Sequence, residues 1–214
     1  CSNYPEAHYN LANTLNDLGC SEEAEFNLKK AISLKSDYPE AHFNLGNIKR
    51  EENRFKDAEI MYKQAIIFKP DYPEVYNNLG SMLQELGRLD EAESSYTKAI
   101  NFKSDFTEAY RNLSGIKNFD KYDDFFHKME TLYLDTSLSA DQRCNICFGL
   151  AKAFEDLGEL EKAFKHYSEG NSLRKKLLGY DIEFDIQLFN DLKNNSFEIE
   201  KVSFKSESFV NTII

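Results

Sequence analysis

Four asparagines, Asn10, Asn44, Asn78 and Asn112, recur at a step of 34 residues. A primary amide carries one carbonyl acceptor and two N–H donors, the complement of a peptide backbone. A row of such amides could hydrogen-bond an extended peptide, or could tie one repeating unit to the next. Asn13 and Asn47 follow three residues on, with Ser81 in the third unit, and Tyr9 and Phe43 could contact ligand side chains. Glu6, Glu40, Glu74 and Glu108 keep the same step. They read as charges that favour a helix start; facing the row, they would disfavour acidic ligands.

Other reactive residue types are sparse. Cys144 and Cys147 form a CxxC. The motif lacks a second cysteine pair or a His at ligand spacing, which argues against zinc. It lies in a helical pattern rather than after a strand, so buried structural thiols are expected instead of redox chemistry. His8 and His42 stand one repeat apart at a packing position, and no partner is evident for His127 or His166. There is no nucleophile elbow and no Gly-rich phosphate loop. Arg174, Lys175 and Lys176 form a small basic cluster at a helix end. No catalytic residue, metal or cofactor is expected.

The elements that position these residues repeat as well. Tyr4-Pro5-Glu6-Ala7-His8 returns as Tyr38-Pro39-Glu40-Ala41-His42, and again as Tyr72-Pro73-Glu74-Val75-Tyr76. Further ladders hold the step, such as Leu11, Leu45, Leu79 and Leu113, or Ala24, Ala58 and Ala92. Each unit reads as two amphipathic helices. Ala41, Leu45 and Ile48 share one face of the first, and Ala58, Tyr62 and Ala65 one face of the second. Gly19, Asn53 and Gly87 sit between the two, where a left-handed residue ends a helix. Pro5, Pro39 and Pro73 suit the first turn, which needs no amide hydrogen.

These residues resemble the tetratricopeptide repeat (TPR), a 34-residue helix pair that stacks into an α-solenoid. The close match covers about residues 5–106. It departs from the family pattern where a Trp is usual, at His8, His42 and Tyr76. The resemblance implies an all-α fold, a right-handed superhelix of antiparallel helix pairs whose first helices line a concave groove. It thereby puts Asn10, Asn44, Asn78, Asn112, Asn13, Asn47, Tyr9 and Phe43 on a peptide-binding surface. A related asparagine ladder lines the groove of the O-linked N-acetylglucosamine transferase. The carboxylate clamp of chaperone-tail TPR domains is not expected, because its second-position slots are all Glu here.

The register breaks after the third unit. The fourth begins normally and stops at Ser114-Gly115; 118–124 reads as a connection and 125–134 as a short helix. A divergent pair resumes over 143–173, with Leu150, Ala151, Phe154, Gly158, Ala163 and Tyr167 in TPR slots. Residues 182–192 read as one more helix, and 197–204 alternate like a strand. The expected organisation is an array over 1–117, a linker with a short helix over 118–140, a TPR-like pair over 141–179, and a C-terminal helix and tail over 180–214. Residues 105–190, with Phe148 to Gly158 and Gly170 to Lys176, resemble the region that joins TPR arrays to a sulfotransferase domain in bacterial TPR–sulfotransferase proteins. That resemblance implies a catalytic domain beyond residue 214.

Composition narrows the partner. A formal charge of −11 argues against nucleic acid, and no apolar run is long enough to span a membrane. Four sparse cysteines and no leader-like start suggest a reducing, cytoplasmic setting. The expectation is a scaffold that binds a neutral or basic protein or extended peptide. The alternatives are an acceptor-presenting arm of a sulfotransferase, and self-association through exposed array ends.

Overall fold

The computed structural model describes residues 4–179 and the isolated positions 186, 187, 190 and 193. Among the described residues the fold is all-helical, without strands. Three hairpins come first: α1 (Pro5–Asp17) with α2 (Ser21–Leu34), α3 (Pro39–Glu51) with α4 (Phe55–Phe68), and α5 (Pro73–Glu85) with α6 (Leu89–Phe102). Then come α7 (Thr107–Ile116), α8 (Asp124–Leu134), α9 (Ala140–Asp156) and α10 (Leu160–Leu177). The chain forms a TPR-like α-solenoid.

Local chemistry sets the boundaries. Each of α1, α3 and α5 opens on a proline and carries a glutamate in its first turn, so the missing amide hydrogen costs nothing and the charge meets the positive helix end. Each hairpin turns through one left-handed residue. Asn53, at φ 58°, does in the second unit what Gly19 and Gly87 do in the first and third. Asparagine tolerates that conformation better than most side chains.

Packing explains the ladders of small residues. A Cβ on Gly46 would lie 2.7 Å from the Tyr62 ring, and one on Gly80 equally close to Tyr96. Both tyrosines are fully buried. The first unit solves the same contact differently, with Ala12 and Leu28 at the matching positions. Charges tie neighbouring units on the second helices, where Arg88 bonds Glu59 at 2.7 Å. Lys35, Lys69 and Lys103 lie over the Tyr38, Tyr72 and Phe106 rings at 4.7, 4.2 and 5.1 Å.

The interruption has a definite structure. α7 packs directly on α9, and α8 lies against both. Tyr110 of α7 stacks on Phe125 of α8, and Phe126 meets Phe154 of α9 edge-on at 5.2 Å. α9 opens on a capping box between Ser139 and Gln142, which satisfies two helix-end donors reciprocally. The helix begins earlier than residue 143 because of that cap.

The chain divides into two compact units, 1–170 and 171–214. In the second, the described residues finish α10 with Arg174, Lys175 and Lys176 in its last turn, which suits the negative helix end. Most of the helix expected over 182–192 and all of the strand expected over 197–204 lie outside the described residues.

Candidate functional site

The first helices of the three regular hairpins present polar faces to one groove of about 640 Å³. Asn13, Asn16 and Asp17 come from α1, Asn44, Asn47, Arg50 and Glu51 from α3, and Asn78 and Glu85 from α5. Ala12, Leu28 and Ile48 contribute apolar lining at the same place. The repeat generates this convergence. A step of 34 residues returns the same helix face in every unit, so one polar column becomes a polar strip.

The amides are coupled across the unit joints. Asn44 Nδ2 donates to Asn13 Oδ1 at 2.7 Å and lies 3.3 Å from Tyr9 Oη. Asn78 Nδ2 donates to Asn47 Oδ1 at 2.9 Å, which also accepts from Tyr62 Oη at 2.8 Å. Each joint therefore consumes one donor and one acceptor. Asn78 Oδ1 has no partner among the described residues.

The column changes at its ends. Asn10 is exposed on α1 and its side chain bonds no other described residue. Asn112 Nδ2 turns to Asn77 Oδ1 at 3.0 Å, because the slot equivalent to Asn47 holds Ser81, which faces Tyr96 Oη at 3.3 Å. Tyr9 packs against Tyr38 at 5.0 Å. Phe43 is half-buried between Tyr62 and Tyr72. Asn13, Asn44, Asn47 and Asn78 thus share the groove, whereas Asn10, Asn112, Tyr9 and Phe43 are not among its lining residues.

The second-position glutamates sit at the unit joints. Glu40 pairs with Lys69 at 3.9 Å and Glu74 with Lys103 at 3.8 Å. Glu108 accepts from Asn77 Nδ2 at 3.2 Å. The groove's negative charge comes from another ladder, Asp17, Glu51 and Glu85, at the thirteenth position of each unit. Sequence reasoning passed over it, although its step of 34 residues was available. Arg50 is the cation in this lining and bonds Glu85. Burial opposes the Arg50 charge, but the Glu85 carboxylate outweighs it and raises the guanidinium pKa. Among the described residues Asp17 and Glu51 have no such partner, so the lining is net acidic.

A second polar cluster lies between α9 and α10. Cys147, His166 and Glu169 each place a ligand-type atom within 4.8 Å of the others. Along the chain Cys147 has no His at ligand spacing; the hairpin supplies one across it. The same cross-hairpin geometry appears in the first unit, where His8 Nδ1 and Asn27 Oδ1 lie 2.9 Å apart at a sequence separation of 19. Cys147 and His166 have that same separation. The expected burial of the thiols holds, for Cys144 and Cys147 are both buried. Burial pushes the Cys147 thiol up to about 12. It also lowers the His166 imidazole, so at neutral pH this is an uncharged pair beside a carboxylate. His8, His42 and Tyr76 fill the usual Trp slot as packing residues. His42 stacks on Phe68 at 5.5 Å and Tyr76 on Phe102 at 5.6 Å.

Comparison with known proteins agrees with this architecture. A tetratricopeptide-repeat model matches residues 5–38 and 73–106, and a TPR-repeat model matches 46–87. No curated protein matches the chain. Among solved structures, PilF of Pseudomonas aeruginosa is similar over 78% of this chain and 75% of its own, at 20% identity and a TM-score of 0.63. YrrB, described as a TPR protein with an unusual peptide-binding site, is similar over 78% of this chain and 84% of its own, at 20% identity and a TM-score of 0.58. The first TPR of Spaghetti (RPAP3), solved with the HSP90 peptide SRMEEVD, is similar over 54% of this chain and 92% of its own, at 21% identity and a TM-score of 0.52. Among the described residues no helix is long and apolar enough to cross a membrane. The repeat models, the helix hairpins and these shared folds lead to one conclusion: the chain carries tetratricopeptide repeats.

Proposed function

We propose that the chain is a scaffold whose groove holds an extended, basic or neutral segment of a partner protein. The observation that carries this reading is the groove itself, with Asn13, Asn44, Asn47 and Asn78 beside Asp17 and Glu51. Asn44 and Asn78 read the partner's backbone, and Asp17 and Glu51 select for Lys or Arg side chains. Two TPR neighbours are described in connection with peptides, which favours the same use of this fold. The peptide held by the Spaghetti domain is acidic, and the lining here opposes such a segment. The pre-ordered amides limit the entropy lost on binding.

The test is a double variant, Asn44→Ala with Asn78→Ala, titrated with an extended lysine-containing peptide. The affinity should fall about tenfold for two lost hydrogen bonds, with the helical circular dichroism unchanged. Unchanged affinity would remove the asparagines from the binding role and leave them as ties between units. The sulfotransferase reading rests on the resemblance of residues 105–190 alone. It predicts no sulfuryl transfer by residues 1–214, because the reaction would belong to a following domain.

A further inference from the structure

The α9–α10 cluster takes no part in the groove, and its composition has no need in packing. A core hairpin is served by apolar side chains, yet here a thiol, an imidazole and a carboxylate converge. His166 is 8% exposed, and its Nδ1 is buried without a hydrogen-bond partner. An unmet buried polar atom costs on the order of 1–3 kcal/mol; His42 Nδ1 is unmet as well, but at His166 a thiol and a carboxylate stand within 4.8 Å of the ring. The ring is already fixed in place: it stacks on Phe154 at 5.4 Å and meets Tyr133 edge-on at 4.8 Å.

Glu169 is held as a ligating carboxylate usually is. Its Oε1 accepts from Arg143 Nε at 2.6 Å and its Oε2 from Tyr133 Oη at 2.6 Å. A carboxylate has about four lone-pair sites, so two stay available. Partners that orient a ligand in this way recur around protein metal sites. Cys144, one turn before Cys147, donates its thiol to the Gly170 carbonyl at 3.4 Å.

We propose that Cys147, His166 and Glu169 form a binding site for a zinc-like divalent cation, with the fourth position open to water. The donor set, one sulfur, one nitrogen and one oxygen, is that of a borderline-soft ion. Its atoms lie within 4.8 Å of one another. A tetrahedral zinc sphere needs roughly 3.5 Å between ligands, given metal–ligand distances of about 2.0–2.3 Å. Side-chain rotation of about an ångström closes the difference. On binding, the Cys147 S–H bond breaks, the sulfur pair joins the metal, and the proton leaves to buffer. Thiolate and carboxylate together balance the two positive charges. Arg143 is the cation facing the site from α9; it holds Glu169 and weakens the attraction for the ion without abolishing it. The bound ion would staple α10 to α9.

Cobalt(II) is the probe, added to the metal-stripped chain of residues 1–214 and followed by visible absorption. The expected result is a sulfur-to-cobalt charge-transfer band that saturates at one ion per chain and is bleached by zinc. Cys147→Ala should abolish the band. His166→Gln and Glu169→Gln, which keep the thiol, should each weaken cobalt binding at least tenfold, and they decide the matter if the cysteine variant does not fold. A chain with Cys1→Ser and Cys20→Ser should keep the band. Zinc at a hundredfold excess over Kd should raise the melting midpoint by roughly 5–10 °C. The proposal is overturned by the absence of a saturable band, by its survival in Cys147→Ala, or by its loss in the Cys1/Cys20 variant.

Discussion

Residues 5–106 and residues 107–170 use the same helix hairpin for different ends. In the first stretch, polar side chains recur in columns, so the unit joints are bonded alike and a lined groove results. In the second, α8 intervenes, α7 packs on α9, and the polar side chains gather between one pair of helices instead of along several. The Cys147–His166 pair shows the contrast at a single place. It occupies the cross-hairpin position where the first unit has His8 and Asn27. The first unit spends that position on a hydrogen bond; the divergent pair sets a thiol and an imidazole there, beside a carboxylate. Repetition builds an extended surface, and the break in repetition builds a local cluster.

The largest test of this contrast is Phe126→Ala. Phe126 is 1% exposed and packs α8 onto α9, so its loss should cost about 3–5 kcal/mol. In a nearly additive array the damage should stay local. Hydrogen exchange should show faster amides in α7, α8 and α9 and unchanged protection in α1 to α4. Uniform loss of protection would mean that the two stretches melt as one unit.

The next test concerns the tight contacts of the regular array. Gly46→Ala drives a methyl into the Tyr62 ring and should cost about 1–3 kcal/mol. Adding Tyr62→Leu recreates the Ala12–Leu28 pair of the first unit. The double variant should recover part of the loss, with a coupling of about 0.5–3 kcal/mol in denaturant melts. Simple additivity would contradict the view that the units hold two interchangeable solutions to one contact.

The smallest effect is electrostatic. The hydrogen bonds from Arg88 hold the Glu59 carboxyl down at about 2. A depressed carboxyl stabilises the fold above its unfolded pKa, and that contribution is lost as the pH falls from about 4.5 towards 2. Arg88→Ala should flatten the stability–pH curve in that window and leave the stability near pH 2 unchanged. An unaltered slope would show that this inter-unit ion pair contributes nothing measurable, as surface pairs often do.

Much of the regular stretch was legible because its signals are local and repeated. Proline, the left-handed turn residue and the apolar spacing marked every helix from α1 to α6. The groove was only partly legible. The asparagine column was found by its step, but the equally regular Asp17, Glu51 and Glu85 were passed over in favour of the second-position glutamates. Both ladders are acidic and periodic; only the helix face separates them, and the face is fixed by packing. The packing of Tyr9 on Tyr38 and of Phe43 on Tyr62 and Tyr72 was illegible for the same reason. The α9–α10 cluster was missed because metal-ligand spacing was sought along the chain. The separation of 19 residues between Cys147 and His166 matches His8 and Asn27, and it becomes a signal once the hairpin geometry is known.

The central claim is that this groove takes a basic extended segment through its own acidic lining, beyond the general attraction of a chain of charge −11. The most direct measurement is calorimetric titration of the chain, and of its Asp17→Lys/Glu51→Lys variant, with two extended peptides that differ only in Lys against Glu. The account predicts at least tenfold tighter binding of the lysine peptide to the natural chain and loss of that preference in the variant. Equal binding of both peptides, or an unchanged preference in the variant, would contradict it.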